Sequence, residues 1–88
     1  RLVSPFVYVF SHAPSYDHYN PHCWGKYSCH GAELGYVFRQ ETSFAEKGEN
    51  ELSRFVQDSW IAFASGSSSL LPGGWVRYGN SKNVMYLD

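Results

Sequence analysis

The run Pro5-Phe6-Val7-Tyr8-Val9-Phe10-Ser11 narrows the possible folds of this chain more than any other stretch. Successive side chains of a strand point to opposite faces. Val7 and Val9 would face one way, and Phe6, Tyr8 and Phe10 the other. Both sets are apolar. Such a strand calls for cover on both faces, as in a sheet covered by helices. The chain has 88 residues. That is one small domain at most, with little material for two covering layers. The strand is therefore a hint that part of the chain is missing from these 88 residues. The chain opens on Arg1 and enters the strand almost at once, which reads as a proteolytic product or a part of a longer polypeptide.

Beyond the strand, residues 12–30 read as a long loop punctuated by Pro14, Pro21 and Gly25. Loops of this length without their own structure are usually functional or disordered. Tyr16, Tyr19, Trp24 and Tyr27 argue against disorder. Residues 31–38 suggest a short helix, and residues 39–48 are polar and irregular. One long helix is expected over residues 49–65, where Leu52, Phe55, Val56, Trp60 and Phe63 form an apolar stripe. Glu49 and Glu51 would sit at the positive end of its dipole, and Gly66 would close it as the residue after the cap. The run Gly66-Ser-Ser-Ser-Leu-Leu-Pro-Gly-Gly74 reads as a connector. Two short strand-like pieces follow, residues 75–78 and 84–87.

Charge and hydropathy exclude several classes of function. Seven Lys and Arg against eight Asp and Glu leave a formal charge of −1, and the basic residues are scattered. No nucleic-acid partner is expected. No apolar run approaches the ~18 residues that a membrane span needs. Cys23 and Cys29 either close a disulfide, made easier by Gly25 and implying an oxidising compartment, or remain two thiols.

Two kinds of site chemistry can be weighed from the residues. His12, His18, His22, Cys23, Cys29 and His30 lie close in sequence, but they lack the paired spacing of a structural zinc site; no metal or other cofactor is expected. A serine nucleophile elbow needs G-x-S-x-G between strand and helix. The cluster Gly66-Ser67-Ser68-Ser69-Leu70 lacks the second glycine and follows a helix. Cys29 adjoins His30, and sequence neighbours seldom reach hydrogen-bond geometry. His30 is thus a candidate base without a nucleophile in the chain.

Several segments, in order, resemble the C-terminal part of the type-B carboxylesterases and cholinesterases, which are α/β-hydrolases. VYVFSHAPS (7–15) is similar to a late family strand that runs into F-x-H-x-x-S. CHGAELGYVF (29–38) resembles the H-G-x-E-[LI]-x-[YF]-V-F signature around the catalytic histidine. LSRFVQDSWIAFASG (52–66) resembles the long C-terminal helix, Trp75 the W-P-x-Y segment, and VMYLD (84–88) the closing strand. Gly35 stands where the family has proline or a larger residue, and Val76 where it has proline.

The resemblance implies that residues 1–88 are the C-terminal segment of one carboxylesterase-type domain, with edge-region strands and the long helix, incomplete without an upstream segment. It implies a serine carboxylesterase in which His30 is the catalytic histidine. Gly31 would allow close backbone passage, and Glu33 would be a buried supporting group. The serine and the Glu or Asp would lie on the N-terminal portion of the same precursor, because the triad order in this fold is Ser, acid, His. The substrate would be a small ester and the location secreted or lumenal. The second reading is a cholinesterase-like adhesion or structural protein, of the neuroligin or thyroglobulin kind, that has lost the nucleophile. A third is a free-standing secreted binding domain closed by Cys23 and Cys29.

Overall fold

A computed structural model describes residues 5–17, 19–39, 48–67 and 70–88. The expectations for His18, for residues 40–47 and for Ser68 and Ser69 fall outside them. Strand β1 (Tyr8–Phe10) pairs with β2 (Met85–Leu87). The pairing is parallel, with Tyr8 opposite Met85, Val9 opposite Tyr86 and Phe10 opposite Leu87. Parallel neighbours need a long crossover. Here it is nearly the whole chain, including helix α1 (Leu34–Val37) and helix α2 (Glu49–Ala64).

Both helices serve one face of this ribbon. Tyr36, Val56 and Leu87 are buried at its centre, ringed by Tyr8, Phe10, Val37, Leu52, Phe55, Trp60, Trp75 and Met85. Much of the packing is aromatic. Tyr8 meets Trp60 edge-on at 5.1 Å between ring centroids, and Phe10 meets Tyr36 at the same distance. The other face is bare among the described residues, with Val9 43% and Tyr86 66% exposed. The expectation of a strand covered on both sides is therefore met on one side only, because α1 and α2 both pack against the side of Tyr8, Phe10 and Leu87.

Helix α2 follows the expected stripe through Leu52, Phe55, Val56 and Trp60, and Phe63 extends it at the rim, 61% exposed but edge-on to Phe6 at 6.2 Å. Its C-terminus closes as a Schellman turn: Gly66, at φ +72°, donates to Phe63 O (3.1 Å), and Ser67 donates to Ala62 O (2.9 Å). Helix α1 is shorter than expected, a single turn. Gly31 sits at φ +80°, a left-handed conformation that no α-helix can include, so residues 31–33 are turns. Two α2 side chains satisfy the carbonyls at the end of α1. Ser53 Oγ donates to Tyr36 O at 2.8 Å, and Gln57 Nε2 to Val37 O at 3.2 Å. Residues 75–78 form no strand. They are held by Trp75, whose Nε1 donates to Ser59 Oγ (2.8 Å) and whose ring packs edge-on against Phe6 and Trp60, by Arg77 over the Phe6 ring (4.5 Å), and by Tyr78 N, which donates to Pro5 O (2.7 Å).

One buried carboxylate ties these elements together. Glu49 opens α2 and is 1% exposed. Its Oε2 accepts from Ser15 N (3.0 Å) and Tyr36 Oη (2.8 Å) and lies 2.7 Å from His12 Nε2. Its Oε1 accepts from Ser15 Oγ at 2.6 Å. His12 Nδ1 lies 3.2 Å from Asp88 Oδ1, so the imidazole stands between two carboxylates.

Burial first, and the adjacent Glu49 second, push the Tyr36 phenol well above its ordinary value of 10.0. The folded protein thus holds this proton more tightly than the unfolded chain does. The associated stability is intact below pH ~10 and is lost as pH rises beyond it, by up to about 1.4 kcal/mol per pH unit. Thermal melts between pH 9 and 11 should show Tyr36→Phe less stable than wild type at pH 9, since Glu49 loses a donor, with the gap narrowing toward the alkaline end. A gap independent of pH would contradict the assignment.

Candidate functional site

The candidate site is the loop that carries His30 into α1. Cys23 and Cys29 are joined as a disulfide, with their Cα atoms 6.5 Å apart. The intervening loop doubles back at Gly25, at φ +66°, as sequence spacing required for bridging. Gly25 N donates to Pro14 O at 2.7 Å, and both Lys26 N and Tyr27 N donate to Cys23 O. A 3-10 turn at Pro21–Cys23 buries the Cys23 end of the bridge. Neither cysteine is then free as a nucleophile or a metal-binding thiolate.

His30 comes next and is exposed. On either side of it the backbone is held: Ala32 N donates to Cys29 O (3.0 Å) and Leu34 N to Gly31 O (3.1 Å). The imidazole itself makes no hydrogen bond, ion pair or ring contact among the described residues. Gly31 takes the left-handed conformation expected of a tight passage. A Cβ there would sit 3.7 Å from Leu34 Cδ1 and 3.8 Å from Tyr19 Cδ2, which is ordinary contact distance. Its constraint is therefore conformational and not one of space. Glu33 is half-buried rather than fully buried, and accepts a long hydrogen bond from Tyr8 Oη at 3.5 Å. Burial, reinforced by Glu33, raises the Tyr8 phenol above its ordinary value. Of the four loop aromatics, Tyr16 and Trp24 pack together at 4.8 Å, while Tyr19 and Tyr27 are mostly exposed.

Sequence reasoning missed the constellation of His12, Ser15 and Glu49. These are the residue types of a hydrolytic triad, but the order is wrong. A working triad needs serine bonded to histidine and histidine to the acid. Here the Ser15 hydroxyl is directed at the carboxylate, which also holds the imidazole. The arrangement is a structural anchor. One signal was available: Glu49, Ser53, Val56 and Ser59 continue one helical stripe, and all four are buried.

No group of His, Cys, Asp and Glu among the described residues is arranged to hold a metal ion. An apolar hollow of about 300 Å³ is lined by Phe6, Tyr8, Trp60, Phe63, Leu71 and Trp75, and His30 is not among its walls. No described helix is long and apolar enough to cross a membrane. Compared with family models, curated proteins and solved structures, the chain matches none.

Gly31→Ala should lower stability by about 1–2 kcal/mol, the cost of forcing an L-residue into the left-handed region. Chemical denaturation would show it as a lower midpoint at unchanged slope. A midpoint equal to wild type would mean that the turn before α1 relaxes freely.

Proposed function

We propose that this chain supplies the general base, His30, of a serine carboxylic ester hydrolase whose other catalytic groups lie on an upstream segment or chain. The observation that carries the reading is an exposed imidazole with no partner among the described residues, on a loop closed by a disulfide and fixed by backbone hydrogen bonds. The resemblance of residues 29–38 to the family's histidine signature supports the same role.

The surface supports an upstream partner. A lone pair of short parallel strands is an uncommon end state, since parallel sheets are ordinarily covered on both faces. Val9 and Tyr86 on the bare face, and Phe38, Ile61 and Phe63 on the helices and just past them, are large apolar side chains left in water. The bare face of a parallel strand pair, with Val9 and Tyr86 in water, favours cover by a further element. The proposed cover is the N-terminal portion of the same precursor, bringing the serine, its acid and the oxyanion donors. The disulfide favours a secreted or lumenal setting.

In this reading the serine hydroxyl attacks the ester carbonyl while His30 takes its proton. The imidazolium then protonates the departing alkoxide. Water repeats the cycle on the acyl-enzyme. An upstream carboxylate would hold the ring in the productive tautomer and stabilise its charge.

The test is fluorophosphonate labelling of the native preparation, followed by intact masses of every chain and turnover of p-nitrophenyl butyrate by His30→Ala. An adduct on a larger co-purifying chain, or on a longer polypeptide containing this segment, with loss of turnover in the variant, is expected. Labelling absent from an intact larger partner would point to a non-catalytic homologue. Undiminished turnover by His30→Ala would remove the histidine from the chemistry.

A further inference from the structure

The loop before His30 contains a side-chain brace that ties Asp17 to Tyr19 and Asn20 and reaches the peptide group after His30. Asp17 is 3% exposed. Its Oδ1 accepts from the backbone N–H groups of Tyr19 (3.0 Å) and Asn20 (3.1 Å). Its Oδ2 accepts from Asn20 Nδ2 at 3.2 Å. The same Nδ2 donates to the carbonyl oxygen of His30 at 2.9 Å. The two protons of one amide thus serve two acceptors, and a buried carboxylate fixes the amide plane. The Asp17 carbonyl is held in turn by Trp24 Nε1 at 2.8 Å, at the start of the disulfide loop.

We propose that Asn20 is a positioning residue for the His30 reaction, setting the direction of the imidazole through the His30 carbonyl. The inference rests on the hydrolase reading above. The physical argument is local. The His30 carbonyl belongs to the peptide that joins His30 to Gly31. Gly31 is in the left-handed region and costs little to move within the wide space open to glycine. Without an external hold, that peptide can turn about the Cα–Cα axis, which changes ψ of His30 and with it the side-chain rotamers open to the imidazole. The disulfide holds the chain before His30, the turn to Leu34 holds it after, and the Asn20 amide holds the peptide between them. A base must meet the nucleophile's proton within hydrogen-bond reach, and displacement by ~1 Å can lower a rate ~100-fold. The brace leaves the ring itself untouched, so it acts on geometry and not on the imidazole's chemistry.

The experiment uses the intact protein and four forms: wild type, His30→Ala, Asn20→Ala and Asn20→Gln. Turnover of p-nitrophenyl butyrate is measured alongside the spectrum of protein labelled with ¹³C-carbonyl histidine and ¹⁵N-glycine. His30-Gly31 is the one His-Gly pair of these 88 residues, and its amide cross-peak is assigned as the one that His30→Ala removes. His30→Ala should be inactive. Asn20→Ala should lose kcat about 10- to 100-fold with KM nearly unchanged, since substrate contacts remain while the base is misdirected. Its His30 cross-peak should move. Asn20→Gln keeps a donor and should recover part of kcat, which a fold defect would not predict. Wild-type kcat in Asn20→Ala beside an inactive His30→Ala would overturn the positioning role and leave the hydrolase reading standing. If His30→Ala stays active, the hydrolase reading fails and the catalytic role of Asn20 fails with it; a moved cross-peak would then show only that the brace holds the carbonyl.

Discussion

The Glu49 carboxylate is the interaction on which this structure depends. It is almost fully buried, and an unpaired charge in that position costs several kcal/mol. The whole stability of a domain this size is about 5–15 kcal/mol. The charge is therefore tolerable only with its donors in place. They come from separate parts of the chain: His12 and Ser15 just after β1, and Tyr36 from α1. Satisfying one carboxylate thus fixes the loop after β1, α1 and the start of α2 relative to one another. Through His12 the network reaches Asp88, beside the end of β2, although that exposed contact is worth little alone.

The apolar core is too small to do this by itself. Tyr36, Val56 and Leu87 form its buried centre, and most of the surrounding aromatic rings are only half-buried. Directional bonds compensate. Ser53 and Gln57 cap the end of α1, and the Trp75 indole is held by Ser59. The long loop is organised in the same manner, with Asp17, Asn20 and Trp24 bonded to one another and the disulfide closing the turn. Polar fixation of this kind is what the role proposed for His30 would need, an exposed side chain held on a fixed backbone.

Particular residues show how far the sequence could be read. Helix α2 was legible because the spacing of Leu52, Phe55, Val56 and Trp60 is a one-dimensional signal and Gly66 is a conventional stop. The closing strand and the apolar strand within residues 5–11 were each legible in position, whereas their parallel pairing with one another was not. Residues 75–78 misled because alternation cannot tell a strand from a segment held by a half-buried indole and a single backbone bond to Pro5. At residues 31–38 the apolar spacing suggested more helix than forms, since Gly31 takes a left-handed turn that composition does not announce. In the site, His30 and Gly31 could be singled out by motif, whereas the Asp17–Asn20 brace could not. It depends on which loop carbonyl comes within 3 Å of an amide after the chain has doubled back.

The sequence by itself determined the local terms: one long amphipathic helix with its stop, an apolar strand near each end, a cysteine pair able to bridge, and a histidine followed by a glycine. These depend on neighbours within a few residues, and their physical causes are periodicity and backbone freedom. Tertiary structure alone decided which polar groups were buried and whom they met. Glu49 became an anchor, Ser15 was turned toward a carboxylate, and the His30 imidazole was left without a partner among the described residues. Those outcomes rest on contacts between residues 10 to 40 positions apart, whose energies exist only once the chain has brought them within hydrogen-bond distance.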